Sequence, residues 1–106
     1  FVLVDSGSGY PYACHAAALP ERAPSQLIGE LLVVNAAVLS GLDELEGHPT
    51  YYRRELVGIC GEDEPAWMYV LTDASALEAI RANQSARHQC VNPPGDWRSF
   101  RLHQAA

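Results

Sequence analysis

Lysine is absent from this chain: all seven basic residues are Arg. That absence removes Schiff-base chemistry and the phosphate-cradling Lys of a P-loop. Positive charge is scarce altogether. Seven Arg face 13 Asp and Glu for a formal net charge of −6, so the surface repels phosphate backbones, and neither nucleic acid nor an anionic membrane is an expected partner. Cysteine is equally sparse: Cys14, Cys60 and Cys90 are odd in number, widely separated and without a Cys-x-x-Cys spacing. A disulfide framework and a zinc knuckle are thereby disfavoured, and a reducing cytoplasm is the compartment that fits. Long apolar runs are missing too. The opening Phe1-Val2-Leu3-Val4 has only the length of a strand before Asp5, which reads as neither a signal peptide nor a membrane span.

What is present suits a single domain over residues 1–106, with 48% hydrophobic and 19% charged residues. Residues 1–5 read as a short strand ended by the Ser6-Gly7-Ser8-Gly9 turn, and 12–16 as a second strand. A proline-bearing loop over 19–25 leads into Leu27-Ile28-Gly29-Glu30-Leu31-Leu32-Val33-Val34, whose nearly continuous apolar character predicts a strand buried on both faces. Asn35 then caps a helix that Gly47 ends and Pro49 stops. Residues 51–60 and 66–71 form an antiparallel hairpin around the acidic turn 61–65. Ser75 and Glu78 have capping-box spacing and open a short helix toward Asn83. Residues 93–98 form a turn in which Trp97 is an aromatic anchor, and Trp67 is expected in the core as well. Strands dominate without βαβ alternation, so the fold class is α+β: a small mixed β-barrel or strongly curved sheet flanked by short helices.

One carboxylate stands out within this pattern. Successive helical residues turn by about 100°, so Val38, Leu39, Leu42 and Leu45 form an apolar stripe, and Glu46 falls angularly between Leu42 and Leu39. Glu46 is therefore expected to point inward while Glu44 faces outward. Desolvation would disfavour its ionised form and make it a proton-transfer group near neutral pH. The competing outcome is a helix end that frays at Gly47 and releases Glu46 to water.

Five segments carry a family resemblance. Gly29-Glu30-Leu31, Leu42-Asp43-Glu44-Leu45-Glu46-Gly47, Tyr52-x-Arg54, Ala66-Trp67-Met68-Tyr69-Val70 and Gly95-Asp96-Trp97-Arg98, in this order, resemble the gamma-glutamylcyclotransferase-like family, its small bacterial and gamma-glutamylamine types above all. The resemblance implies a small mixed β-barrel. It also implies an intramolecular reaction without cofactor or metal, in which the free α-amine of a γ-glutamyl substrate attacks its own γ-carbonyl and releases an amine and 5-oxoproline. That chemistry lies between acyl transfer and lyase-type ring closure. Within the resemblance Glu46 is the acid/base, Tyr52 orients a substrate carboxylate or amine, and Tyr10 lies in the turn facing the site. The family's early strand with Tyr-Gly-x-Leu has no counterpart. Residues 1–11 resemble instead the next family strand, ending in Gly9-Tyr10-Pro11, so the domain is expected to be incomplete at its N-terminus relative to the family and to associate as a homodimer or other homo-oligomer through an exposed sheet edge. The alternative is a non-catalytic binding or assembly module that keeps the fold without the substrate loop.

Other constellations have ordinary explanations. Arg54 is a candidate to bind a substrate carboxylate, but pairing with neighbouring acids on an exposed strand face is the more common use of such an Arg. Glu44 and His48 have one-turn spacing, but Gly47 and Pro49 break the helix such a metal pair would need. Adjacent Cys14 and His15 on a strand point to opposite faces and make no nucleophile pair. Ser6-Gly7-Ser8-Gly9 lacks the following helix of a nucleophile elbow.

Overall fold

The structure, a computed structural model, describes residues 1–82 and 88–105, with 102–105 described as backbone only. Strand β1 (Val2–Asp5) pairs antiparallel with β2 (Pro11–Cys14), Val4 opposite Tyr12, and a 3-10 turn covers Ala16–Ala18. Helix α1 (Ala36–Glu46) precedes a second antiparallel pair, β3 (Tyr52–Val57) with β4 (Ala66–Leu71), followed by α2 (Ala74–Ala82) and α3 (Trp97–Ala105).

The first hairpin is a wall between two small cores. Val2, Val4, Tyr12 and Cys14 pack with Leu19, Leu71, Leu77 and Ile80 on one face. Leu3 packs with Val91 and Phe100 on the other, with Ala13, Leu27 and Trp97 at the margin. Burial on both faces is why Val2-Leu3-Val4 has no polar alternation. The loop between the strands is shaped by its own side chains: Asp5 accepts from the Gly7 amide at 2.8 Å and Ser6 Oγ from the Ser8 amide at 3.1 Å. These are Asx and Ser turns that need no helix after them.

The architecture is α+β, but no closed barrel exists among the described residues: the strands form two separate two-stranded antiparallel sheets, and Val4 adds one isolated bridge to Cys90. The expected mixed barrel or strongly curved sheet is thus replaced by two hairpins, and the strand expected over residues 27–34 is not formed. Residues 27–34 belong to neither sheet. Leu27 is partly buried, whereas Ile28, Leu31, Leu32, Val33 and Val34 are exposed, Val33 completely. An apolar run buries both faces only where strands or helices cover it, and among the described residues nothing pairs with this one. The segment is anchored at its start, where the Ile28 amide donates to the Gly95 carbonyl at 2.9 Å. Gly95 has φ +73°, and a Cβ there would lie 2.0 Å from the Gln26 carbonyl oxygen, so only glycine allows this approach.

Two further corrections concern aromatic and helical positions. Trp67 is 49% exposed rather than a core anchor; it carries the Arg54 guanidinium 4.3 Å above its ring. Residues 93–98 are not only a turn: Asp96 caps α3, accepting from the Ser99 amide at 3.1 Å and the Ser99 hydroxyl at 2.8 Å. These donors hold its carboxyl below the usual carboxylate range. Among the described residues, no helix is long and apolar enough to cross a membrane.

Candidate active-site cleft

Helix α1 begins as its sequence dictates, with the Asn35 side chain accepting from the Val38 amide at 2.8 Å. It ends at Gly47 in the left-handed conformation, φ 66°, with the Gly47 amide turned back to the carbonyls of Asp43 and Glu44. The Gly47 carbonyl then accepts from the Thr50 and Tyr51 amides, both at 2.9 Å. This double turn carries the chain from Glu46, the last helical residue, directly to Tyr51 and Tyr52 at the start of β3. A Cβ on Gly47 would meet the Tyr51 Cβ at 3.1 Å, so the turn is tight as well as left-handed.

Between α1 and the first hairpin lies an open cleft of about 730 Å³. Tyr10, Tyr51, Tyr52 and Tyr69 line it together with Glu44, Glu46 and several small or apolar neighbours. The structure thus brings Glu46, Tyr52 and Tyr10 together. Glu46 is partly buried and Glu44 exposed, yet both border the cleft. The apolar stripe that motivated the inward placement of Glu46 is only half realised: Leu39 and Leu42 are partly buried, but Val38 is 47% and Leu45 78% exposed. The helix is not laid on a core. It is held to the second sheet by polar contacts.

Those contacts converge on Asp43. Its Oδ1 accepts from Arg54 Nε at 2.8 Å and from the Tyr69 hydroxyl at 2.6 Å. Arg54 first, and then Tyr69, hold the Asp43 carboxyl below its usual range, while burial and the same carboxylate push the Tyr69 phenol up to about 12. Arg54 also donates its backbone amide to His48 Nδ1 at 3.2 Å. Its guanidinium lies between Asp43 and Trp67 and is not among the groups lining the cleft. Of the four sequence-derived candidates, Arg54 is the one that the structure sets to another task.

The tyrosines brace one another. Tyr12 shares a 3.2 Å hydroxyl contact with Tyr51, and its ring stands edge-on to Tyr10 at 5.9 Å and tilted to Tyr52 at 6.3 Å. Tyr51 and Tyr52 meet edge to face at 5.1 Å. Burial raises the Tyr52 phenol well above its ordinary pKa, and neighbouring phenols and the Glu46 carboxylate add to the rise. Tyr51 and Tyr69 escaped the sequence reading. Tyr69 sits directly opposite Arg54 in the hairpin register, a pairing visible only once the register is known. Elsewhere, Cys14 is buried and its thiol pushed up to about 11, His15 bonds Glu55, and no group of three or more His, Cys, Asp or Glu converges on a metal position among the described residues.

The geometry is that of a small α+β domain whose helix-terminal carboxylate borders a tyrosine-walled cleft. Comparison with known proteins gives the family: residues 1–99 match the model described as gamma-glutamyl cyclotransferase, AIG2-like, and the chain belongs to that family. A protein of Methanocaldococcus jannaschii bearing the name "putative gamma-glutamylcyclotransferase" is 38% identical over 56 residues, covering 50% of this chain and 47% of the relative. The match therefore spans about half of that relative's length. No solved structure matches.

Proposed function

We propose that this chain catalyses cyclisation of a γ-glutamyl amine or peptide to 5-oxoproline, with Glu46 as the acid/base. The carrying observation is the position of Glu46, partly buried on the cleft wall with Tyr52 and Tyr10. The substrate's α-ammonium is unreactive until it loses a proton, which Glu46 accepts. The amine nitrogen then forms a bond to the γ-carbonyl carbon and sheds a second proton to become the ring N–H, the amide C–N bond breaks, and the two protons, passed in turn by Glu46, leave on the departing amine as its ammonium. Ring closure within one molecule already has high effective molarity, so positioning and one proton shuttle suffice without metal or cofactor. Tyr52 and Tyr10 orient the substrate, and Arg54 acts at one remove by fixing α1 through Asp43. The reading includes a cytoplasmic setting and a second copy of the chain seated on residues 28–34.

The test is release of 5-oxoproline from a γ-glutamyl amine. Glu46→Gln keeps the side-chain volume but accepts no full proton, so formation should fall by at least about 100-fold, the scale of general acid/base catalysis. Glu62→Gln, in the exposed β3–β4 turn, is the control and should match the parent. Retained turnover in Glu46→Gln would remove the assigned acid/base.

A second reading, a binding module without catalysis, is favoured by one observation: among the described residues lining the cleft none is basic, so a substrate carboxylate finds no cation there. Binding of γ-glutamyl amines with no 5-oxoproline formed would select it.

A further inference from the structure

We infer that His48, as the neutral imidazole, is a positioning residue that locks the end of α1 to β3 and so sets Glu46 against Tyr52, and that protonating it opens the lock. The part that concerns turnover rests on the acid/base reading above. Three hydrogen bonds close a ring. The His48 amide donates to the Asp43 carbonyl at 2.9 Å, the Arg54 amide donates to His48 Nδ1 at 3.2 Å, and Arg54 Nε donates to Asp43 Oδ1 at 2.8 Å. The chain between these residues carries Glu46 on the helix side and Tyr52 on the strand side, and both border the cleft. Neither the helix end nor the strand start can shift without stretching one of the three bonds.

One of the three is conditional on charge. A backbone amide only donates, so the Arg54 contact requires a lone pair on Nδ1 and places the ring proton on Nε2. An imidazolium carries protons on both nitrogens, and its Nδ1 would turn a donor toward a donor. The other groups around His48 do not reverse this. Asp43 on α1 would attract an imidazolium and Arg54 on β3 would repel it, and those two charges are already paired with each other. Tyr69 on β4 donates to the same Asp43 oxygen and stays uncharged, its phenol pushed up to about 12. Glu46, two residues back, is the other carboxylate at this turn. His48 is partly buried, so water does not freely replace the lost acceptor.

The experiment combines NMR of the full chain with 5-oxoproline release, for the parent, His48→Asn and His48→Leu. The Asn side-chain oxygen can stand where Nδ1 stands and accepts at every pH, whereas Leu accepts at none. At neutral pH, long-range proton–nitrogen correlation should show the parent His48 as the Nε2–H tautomer. Exchange of the Arg54 amide should be slow in the parent and in His48→Asn, and about tenfold faster in His48→Leu, as expected for one lost hydrogen bond. Acidification from about pH 7 to about pH 5 should strip that protection from the parent and not from His48→Asn. Turnover should follow the same order. In His48→Leu kcat should fall by about 10- to 100-fold with KM changed far less, the scale of a small misplacement of a reacting group. His48→Asn should recover most of that loss, and its kcat should decline less steeply with acid than the parent's. An Nδ1–H tautomer, or Arg54 protection indifferent to residue 48 and to pH, overturns the lock. Equal kcat in the parent and a folded His48→Leu overturns the positioning role. Should His48→Leu not fold, the parent's tautomer and the acid difference between the parent and His48→Asn decide. A parent without turnover fails the acid/base reading alone, and tautomer and amide exchange still decide the lock.

Discussion

One carboxylate oxygen fastens α1 to the second sheet. Asp43 Oδ1 takes both the Arg54 Nε and the Tyr69 hydroxyl donor, and these hold its carboxyl below the ordinary range. A depressed folded-state pKa means that stabilisation is complete above the unfolded-state pKa, near 4, and is lost as pH falls through the lower folded value. Asp43→Asn should therefore melt below the parent at neutral pH, with the difference shrinking once pH drops under about 4. A melting difference that stays constant from neutral to acid pH would show that the loss is one of packing and not of charge. Glu46 and Asp43 lie three residues apart on one helix, and the sequence treats them unequally. Helical angle alone took Glu46 to the cleft side. It names no partner for Asp43, because those partners come from β3 and β4, at 11 and 26 residues' separation. The same angular reasoning overstated Leu45 and Val38, since a stripe is buried only if a core lies beneath it, and here the helix rests on a strand through polar contacts.

At the scale of elements, ends were more legible when their chemistry is local and singular. Asn35 and Gly47 bound α1 as expected from residue type, because one side-chain oxygen and one left-handed glycine each have a single good use there. Helix α2 shows the opposite. Ser75 and Glu78 have capping-box spacing, but the helix starts at Ala74, and Asp73 is the cap: its Oδ2 accepts from the Ala76 amide at 2.9 Å, while its carbonyl accepts from the Leu77 amide at 3.0 Å. Two candidate caps two residues apart compete, and the register that buries Leu77 and Ile80 decides between them. Asp73→Ala should cost about 1 kcal/mol, a fall of roughly 4–8 °C in Tm for a domain of this size, and Ser75→Ala should change much less. The reverse order in thermal melts would return the cap to Ser75. Helix α3 was hidden for a related reason. The Pro93-Pro94-Gly95 turn signal is genuine, and its last function is to deliver Asp96 as the next cap.

Across the whole molecule, the least expected feature is the uncovered run from Ile28 to Val34. Its sequence demands burial on both faces, and the described residues bury neither. The local charge does not oppose association of two copies despite the net charge of −6 each, because Glu30, the one acid in the run, lies 3.9 Å from Arg98. Antiparallel pairing of this segment with its symmetry mate would satisfy backbone donors and acceptors on both chains, and the exposed Val38 would extend the apolar contact along the start of α1. A stable interface needs roughly 800 Å² per partner, which the exposed run and the start of α1 beside it would supply together. Sedimentation at micromolar concentration should accordingly give a species of twice the chain mass. Val33→Lys places a charge on a side chain that is wholly exposed in the single chain, so it should shift the protein to monomer without lowering the intrinsic stability of the fold. A parent protein that sediments as a monomer would leave the run without a partner of its own kind. Dissociation accompanied by unfolding in Val33→Lys would show that the two copies fold together, rather than as finished domains that meet.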